Sequence, residues 1–404
     1  MPKDAEIKPA PTPWGLVVML GAMTAFAPMA IDMYLPSLPA IAQGLSASAG
    51  QAQATVAAFF AGMAIGQFIY GPASDRYGRR APLLVGVVVY TAASVACALA
   101  TSPEMLIAAR FVQALGGCAG GVVARAIIRD KFDHTETARM LSLMMLIMGL
   151  APILAPLLGG VILTIAGWRA NFWVLAAFGV AVGAAVLLRL KESRSEATAA
   201  QARSESPLQA YAALFRQKRL IGYLLAGALN GATLFTYISA SPGLLIGTYG
   251  ISPQNFGWVF GLNAFGIIGA NQVNRHLLRR RTPDQVLATA SLVSAGLAAL
   301  LALVAVTGWG GQWGVLGLLF ILLASYGFMQ GNTTAGALSV DPLRAGSVSA
   351  LTGAASFAAG AVAASISAAL HDATARPMAL IMLVAIAGSA IALHTLALPS
   401  REKA

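Results

Sequence analysis

The chain has 404 residues, of which 58% are hydrophobic and only 10% are charged, and its formal net charge is +11. Soluble domains carry about 25% charged residues, so this composition excludes a water-soluble fold and makes lipid the surrounding solvent. The apolar residues come in long runs rather than in strict alternation, which argues against a large β-barrel. The sequence therefore predicts an all-α, polytopic membrane protein.

Twelve apolar runs are long enough to cross a membrane as helices of about 20 residues. The first six predicted spans are 14–38, 51–72, 81–100, 104–127, 138–164 and 170–190. The second six are 219–241, 253–274, 284–306, 312–336, 344–370 and 377–398. The first run contains Pro28 and Asp32 and is too long for a signal-peptide core, so we expect it to be a retained span.

The basic residues lie in alternate connections rather than in one patch. They include Arg76, Arg79, Arg80, Arg125, Arg129, Lys131, Arg139, the group between Arg189 and Arg219, Arg275 and Arg279–Arg281. The connections at 36–50, 101–105, 242–252 and 307–312 contain no Lys or Arg. By the positive-inside rule the arginine-rich connections and both termini are cytoplasmic. The positive charge therefore does not predict nucleic-acid binding.

The two sets of six spans flank the one long polar stretch of the chain. We predict a six-helix bundle over 1–190, a cytoplasmic linker over 191–217 and a second six-helix bundle over 218–404. Residues of the first half recur in the second: Phe60, Gly66, Arg79 and Arg80 match Phe260, Gly266, Arg279 and Arg280. Such a duplicated unit is typical of secondary transporters.

Two charged residues, Asp32 and Arg110, lie well inside predicted spans, where an ionisable side chain marks function by default. At about 1.5 Å per residue, both lie roughly 9–10 Å from the same membrane surface. We expect them to face one cavity, with Asp32 as the proton carrier and Arg110 as the cation that tunes it. Gln113 and Gly117 share the helix face of Arg110 and are expected to line that cavity. A purely structural ion pair is the alternative interpretation.

The segment GPASDRYGRR, 71–80, connects spans 2 and 3. It is similar to the G-x-x-x-D-R-x-G-R-[KR] signature of the major facilitator superfamily. The resemblance implies a loop that latches the two halves on the cytoplasmic side. The residues of this cytoplasmic gate are Gly71, Asp75, Arg76, Gly78, Arg79 and Arg80.

The run LAPILAPLLGG, 150–160, resembles the antiporter motif of the same superfamily. Prolines within a membrane helix kink it and free backbone carbonyls. The motif residues are Pro152, Pro156 and Gly159, whereas Ala151 and Ala155 stand where the general pattern has Gly. The run favours antiport.

Nearly the whole chain resembles one subfamily, the drug/proton antiporters of the Bcr/CflA type, which confer resistance to bicyclomycin, chloramphenicol and florfenicol. The stretches that carry the resemblance are IDMYLPSLP at 31–39, GPASDRYGRR, RFVQALGG at 110–117, LAPILAPLLGG and WRANFW at 168–173. The resemblance implies a major facilitator fold in the bacterial inner membrane and proton-driven efflux of phenicol-type drugs. It also implies that Asp32 couples proton to substrate and that Arg110 is the motif arginine of span 4. Ala114 replaces the Gly that commonly follows Gln113 in this family.

Polar, aromatic and flexible side chains of the spans are candidates for substrate contacts, because ligand cavities are mostly apolar with a few placed polar groups. The predicted substrate-binding residues are Asp32, Tyr34, Arg110, Gln113, Met144, Asn230, Phe235, Tyr237, Asn263, Gln330 and Asn332. For the aromatic residues and Met144, packing between helices is the competing interpretation.

The sequence predicts no cofactor and no metal site. Cys97 and Cys118 lie in apolar runs without metal-ligand spacing. No phosphate-binding loop of the G-x-x-x-x-G-K-[ST] type occurs, so the proton gradient is the expected source of energy. The predicted partners are a small-molecule drug, protons and the lipid bilayer, and we predict a monomer.

The sequence bears on three other functions. A membrane-embedded enzyme would need a nucleophile, a metal cluster or a carboxylate pair in the spans, and the sequence offers none. A sensor built on the same fold would be expected to lack the ionisable pair or the gate loop. A proton-coupled metabolite exporter or importer stays open, because sequence separates these poorly from a drug exporter.

Overall fold

The computed structural model describes residues 14–132, 134–194, 196 and 207–398, and helices make up nearly all of this part. The helices of the first half are α1 Trp14–Thr24, α2 Phe26–Asp32, α3 Leu38–Gly44, α4 Ala49–Tyr77, α5 Arg80–Ala98, α6 Pro103–Lys131, α7 His134–Ala166 and α8 Trp168–Arg189. Helix α9, Pro207–Leu214, lies between the halves. Those of the second half are α10 Lys218–Pro242, α11 Pro253–Leu277, α12 Pro283–Thr307, α13 Gly311–Val340, α14 Ala345–Ala369 and α15 Arg376–Ala392.

Several of these helices begin where the sequence supplies a hydroxyl cap. The side chains of Ser48, Ser102, Ser252 and Thr282 accept hydrogen bonds from the third backbone amide of α4, α6, α11 and α12. In the last three a proline follows at the first helical position, where its missing N–H costs nothing. The local sequence therefore specifies these helix starts.

In the part of the chain that the structure describes, ten helices are long and apolar enough to span a membrane, and the bent pair 14–24 and 26–44 makes eleven. The eighth predicted span, 253–274, corresponds to α11, a 25-residue helix that is not among these. It carries six Asn and Gln residues, which lowers its hydropathy. The all-α polytopic fold is confirmed, while the limits of the two bundles at 190 and 218 stay a prediction.

The first span differs from the single helix predicted over 14–38. The chain bends by 42° between α1 and the residues from Phe26 to Gly44. After α2 a 3₁₀ turn, Leu35–Ser37, leads into α3, so helical structure continues to Gly44. Pro36 and Pro39 stand at the starts of these last two elements, where proline is tolerated, and their rings and missing N–H groups break the continuous ladder.

The two halves meet along two pairs of helices, α4 with α14 and α7 with α11. Glycines permit the contact: a methyl at Gly50 would lie 2.6 Å from the carbonyl oxygen of Ala368, and one at Gly160 would lie 2.7 Å from that of Pro253. Both contacts lie toward the membrane surface that the arginine-poor connections face. We call that surface the neutral end and the surface near 76–80 the basic end.

The predicted linker contains a helix. In α9, Leu214 is fully buried against the second half, while the ring of Tyr211 contacts that of Phe68 on α4 edge-on at 5.7 Å. The sequence analysis did not predict this short apolar helix, because the residues around it are polar. The linker is thus docked to both halves at the basic end, and residues 195 and 197–206 lie outside the described part.

Candidate functional site

Asp32 is the last residue of α2, directly before the break in the first span. Its side chain is 4% exposed and forms no ion pair or hydrogen bond with any residue that the structure describes. The hydroxyl of Tyr237, in the second half, lies within electrostatic range of its carboxyl group. The carboxyl group thus lies at the meeting point of the halves without a counter-charge.

Arg110 is fully buried in α6 and is enclosed by aromatic rings. Its guanidinium carbon lies 4.1 Å from the ring centre of Tyr34, 4.2 Å from that of Phe59 and 5.9 Å from that of Phe172. Such cation–π contacts stabilise a desolvated arginine by about 2 kcal/mol. The Nη1 atom donates to Gln113, whereas Nε and Nη2 have no partner. This free Nε/Nη2 edge has the geometry that binds a carboxylate with two hydrogen bonds.

Gln113 positions Arg110 rather than facing open space. It is fully buried, its oxygen accepts from Arg110, and its amide nitrogen donates to Ser94 Oγ of α5 at 2.7 Å. Gly117, on the same helix face, packs against the ring of Tyr90. The expectation that this face lines the cavity therefore does not hold beyond Arg110. The face binds α6 to α5.

Asp32 and Arg110 do not form an ion pair in this conformation. Tyr34, two residues after Asp32, contacts Arg110 instead. Its ring faces the guanidinium, and its hydroxyl is 3.1 Å from Thr55 Oγ1. Sequence depth places the two charges at one level, which is compatible with contact but does not require it. The structure holds both charges buried and separate.

The antiporter-motif run lies against the break next to Asp32. A methyl group at Gly159 would lie 1.6 Å from the carbonyl oxygen of Met33. Asn171 Nδ2 donates to Ser37 Oγ at 2.9 Å and to the Gly159 carbonyl oxygen at 3.4 Å. Pro152 and Pro156 lie within α7, as predicted. The motif glycine and the WRANFW asparagine therefore fix the backbone that carries Asp32.

We expect Gly159→Ala to abolish transport, because the obstructing atom is backbone and overpacking a fitted contact costs about 1–3 kcal/mol or more. The control is Gly149→Ala on the same helix, where the new methyl meets only the flexible Ile268 side chain at 3.6 Å. Drug efflux and thermal unfolding of both purified variants would be measured. Wild-type efflux by Gly159→Ala would contradict the role of this contact.

The predicted polar residues of the second half fall into two groups. Asn263 Nδ2 donates to the Tyr237 hydroxyl at 2.8 Å, and the Tyr237 ring stacks on Phe260. Asn332 donates to Asn274 Oδ1 at 3.0 Å. This hydrogen bond joins α13 to α11.

Asn230 and Gln330 form the other group. Asn230 Nδ2 and Gln330 Oε1 are buried atoms without hydrogen-bond partners. Of the residues predicted for substrate contact in this half, these two retain unused hydrogen-bonding capacity.

The predicted aromatic and methionine contacts are largely packing. The Phe235 ring lies 4.5 Å from that of Phe60 and 4.9 Å from that of Phe357, so these three rings join the halves. Met144 is buried, and its sulfur lies 3.5 Å from Thr24 Oγ1. For Met144 the geometry favours the alternative of helix packing.

The 71–80 segment is mostly helix rather than loop, because α4 continues to Tyr77 through Pro72 and the chain turns at Gly78, whose φ is +93°. A positive φ suits glycine. The buried Arg79 forms ion pairs with Asp75 and, at 2.7 Å, with Asp130 at the end of α6.

Further contacts hold this segment to the end of α8. Arg80 donates to the carbonyl oxygen of Leu187, and Arg194 donates to those of Asp75 and Arg76. Within the described ranges, the hydrogen bonds and ion pairs of the segment are made inside the first half and with Glu192 and Arg194 of the linker. The implied latch onto the second half is not formed in this conformation.

Glu192 also contacts this segment, because its carboxylate accepts hydrogen bonds from the backbone amides of Arg79 and Arg80. Burial alone would raise its pKa, but hydrogen bonds from the backbone amides of Arg79, Arg194, Arg80 and Ser193 outweigh burial and lower the pKa below its usual value. Because the folded-state pKa is lowered, these bonds stabilise the segment at neutral pH and are lost as the pH falls through the folded value. Sequence reasoning missed Glu192, since it lies in the polar linker.

A second missed residue, Gln53, joins the halves near the neutral end. Its buried amide nitrogen donates to Ser367 Oγ at 2.8 Å and to Ser239 Oγ at 3.3 Å. All three residues lie in apolar stretches without any recognisable motif. The structure is therefore closed by hydrogen bonds across the halves at this end.

We expect Gln53→Leu to open the neutral end, because two hydrogen bonds of about 1 kcal/mol each are lost. The population of the opened form should rise about thirtyfold. Electron–electron distance measurements between spin labels at Ala49 and Leu370 would detect it. Gln67→Leu is the control, since Gln67 lies in the same helix pair beside Gly353 and its side chain forms no hydrogen bond with the described residues. Equal distance distributions in both variants would contradict the prediction.

Comparison with known proteins identifies this architecture. The model of the Major Facilitator Superfamily matches residues 20–368. The chain belongs to this superfamily. As a member it is a membrane transporter and not an enzyme, as the sequence predicted.

Relatives within the superfamily extend over the chain. It is 34% identical to the MFS-type transporter YdgK of Bacillus subtilis over 93% of both proteins. It is 30% identical to the bicyclomycin resistance protein homolog of Haemophilus influenzae, over 94% of this chain and 95% of the relative. It is 35% identical to the multidrug resistance protein MdtL of Shigella dysenteriae over 60% of this chain and 61% of the relative. The resemblance to the drug/proton antiporters is confirmed.

Solved structures of the superfamily share the fold. A bacterial homologue of the lysosomal transporter Spinster, in an inward-facing conformation, superposes with a TM-score of 0.72 at 16% identity, over 97% of this chain and 98% of the other. The peptide transporter POT superposes with a TM-score of 0.74 at 15% identity, over 96% and 95%. These similarities establish the major facilitator fold.

Proposed function

We propose that this transporter exports small amphiphilic drugs, phenicols among them, in exchange for protons by alternating access. Relatives over most of the chain bear the names bicyclomycin resistance protein homolog and multidrug resistance protein, which supports drug export as the general activity. The proposal includes a bacterial inner membrane, cytoplasmic termini and a monomeric transporter. The basic end then faces the cytoplasm.

The observation that carries the proton coupling is the separation of Asp32 from Arg110. A buried ionised carboxylate without a partner costs several kcal/mol, so Asp32 holds a proton in this conformation. The free Nε/Nη2 edge of Arg110 offers the ionised carboxylate a bidentate partner. A rotation at the break after Asp32, coupled to rocking of the halves, then brings the two groups together and releases the proton.

The break after Asp32 supplies the movable element. α2 ends at Asp32, and the next two residues connect it to the 3₁₀ turn, so a small rotation there reorients the carboxyl group without unfolding a continuous helix. Gly159 and Asn171 hold the far side of this break. Drug binding between Asp32, Tyr237 and the unpartnered Asn230 and Gln330 would bias the same rotation from the second half.

The experiment uses the purified protein in proteoliposomes with an imposed pH gradient and labelled chloramphenicol. We expect drug movement opposite to the proton flow, and collapse of drug accumulation when an ionophore removes the gradient. Drug movement in the direction of the protons would identify an importer of the same fold. Drug flux that is the same with and without the pH gradient would overturn proton coupling.

A further inference from the structure

Arg125 lies inside a membrane helix rather than in a connection. The sequence predicted span 4 to end at 127 and grouped Arg125 with the loop arginines, but α6 continues to Lys131. Arg125 is five residues before Asp130, which pairs with Arg79 at the basic end. At about 1.5 Å per residue it lies roughly 7.5 Å further into the membrane than that ion pair.

The side chain of Arg125 is closely surrounded by protein and yet accessible. Protein atoms surround its guanidinium closely enough to desolvate it, yet its side chain is exposed. A lipid-facing side chain would be exposed without that desolvation. A methyl at Gly121 would lie 3.9 Å from Nη1, so the glycine leaves room beside the cation.

Arg125 has no counter-charge among the residues that the structure describes. It forms no hydrogen bond or ion pair with the described residues. The titratable groups that act on it are Cys118, which is a neutral thiol, and the like-charged Arg129. Intramembrane cations are costly and normally paired, so an unpaired one in an accessible cavity requires its counter-charge from a ligand.

Arg125 and Arg110 lie at different depths along α6. Fifteen residues separate them, which places them about 60° apart around α6 and about 22 Å apart along it. One small drug does not span that distance. The exposed Arg125 therefore lies nearer the basic end and the buried Arg110 lies deeper, so one small drug cannot contact both at once.

We propose that Arg125 binds the acidic group of a small amphiphile, such as a carboxylate, phosphate or acidic sulfonamide, as it enters from the basic end. The inference rests on the proposed function only in assuming that the substrate passes between the two halves. With Arg110 and Arg125 against a single carboxyl group, Asp32, the cavity has a positive excess, so it selects anionic over cationic amphiphiles.

The test measures equilibrium binding of 2-naphthoate and 2-naphthamide, which share a ring and differ in charge. The protein is held in nanodiscs of phosphatidylcholine alone. We expect wild type to prefer the naphthoate, and Arg125→Gln to lower naphthoate affinity about tenfold, the effect of losing a charge-assisted hydrogen bond. Naphthamide binding should be unchanged.

Arg129→Gln is the matched control, because Arg129 is an exposed arginine one turn further along α6. It should change naphthoate affinity less than twofold. The inference is overturned if wild type binds both probes equally or not at all, or if Arg125→Gln loses no more than Arg129→Gln.

A second arm distinguishes a soluble anion from a lipid headgroup. In nanodiscs with phosphatidylglycerol, competition for naphthoate that disappears in Arg125→Gln identifies a lipid phosphate as the natural acidic group, and no competition identifies a solute. This test can succeed or fail independently of the proposed function. Anion binding at Arg125 does not require that drug flux depend on the proton gradient.

Discussion

Asp32→Asn is expected to reduce gradient-driven export to the level of vesicles without protein, while drug binding and drug–drug exchange persist. The amide keeps the size and the hydrogen-bonding capacity of the protonated acid, so the conformation described here is preserved. It has no proton to release and no charge to present to the free edge of Arg110. The variant is therefore trapped in the equivalent of the proton-loaded state.

The measurement compares concentrative uptake into proteoliposomes under an imposed pH gradient with counterflow at equal pH. Asp372→Asn is the control, since Asp372 is an exposed carboxylate in a connection at the neutral end. Asp32→Glu keeps the titrating group and should retain part of the coupled transport. Full gradient-driven transport by Asp32→Asn would remove Asp32 from the proton path.

The sequence predicted those features that depend on one helix at a time. Burial of Asp32 and Arg110 followed from their place in apolar runs, and the fold class followed from the number and length of the runs. The close approach at Gly159 was marked by a motif, but its contact atom, the Met33 carbonyl oxygen, was not. That contact depends on a break in a helix which the hydrophobic pattern does not reveal.

Features that depend on two elements far apart in the sequence were not predictable. Gln53 and Ser367 are 314 residues apart and bond across the halves, and neither residue type marks such a contact. Arg125 was missed for a different reason. Hydropathy places the end of a span where charges begin, whereas the helix itself continues to Lys131, and Asp130 near its end pairs with Arg79.

Arg110→Lys is expected to lower coupled transport at least about tenfold, although it conserves the charge. The planar guanidinium stacks on Tyr34 and Phe59 and donates to Gln113. An ammonium group is a strongly hydrated point charge that neither stacks in this way nor offers two parallel donors to one carboxylate. A loss of about 1.4 kcal/mol in the Asp32–Arg110 contact alone accounts for the tenfold effect.

A purely structural role would give a different result. If Arg110 only fixes helix packing, Arg110→Lys should lower the unfolding temperature and scale all transport modes equally. If Arg110 receives the ionised Asp32, the variant should keep counterflow and lose concentrative transport, and the pH at which transport is half-maximal should rise, because the carboxylate loses the partner that favours its charged form. Unchanged pH dependence together with equal loss of counterflow and concentrative transport would leave Arg110 a packing residue.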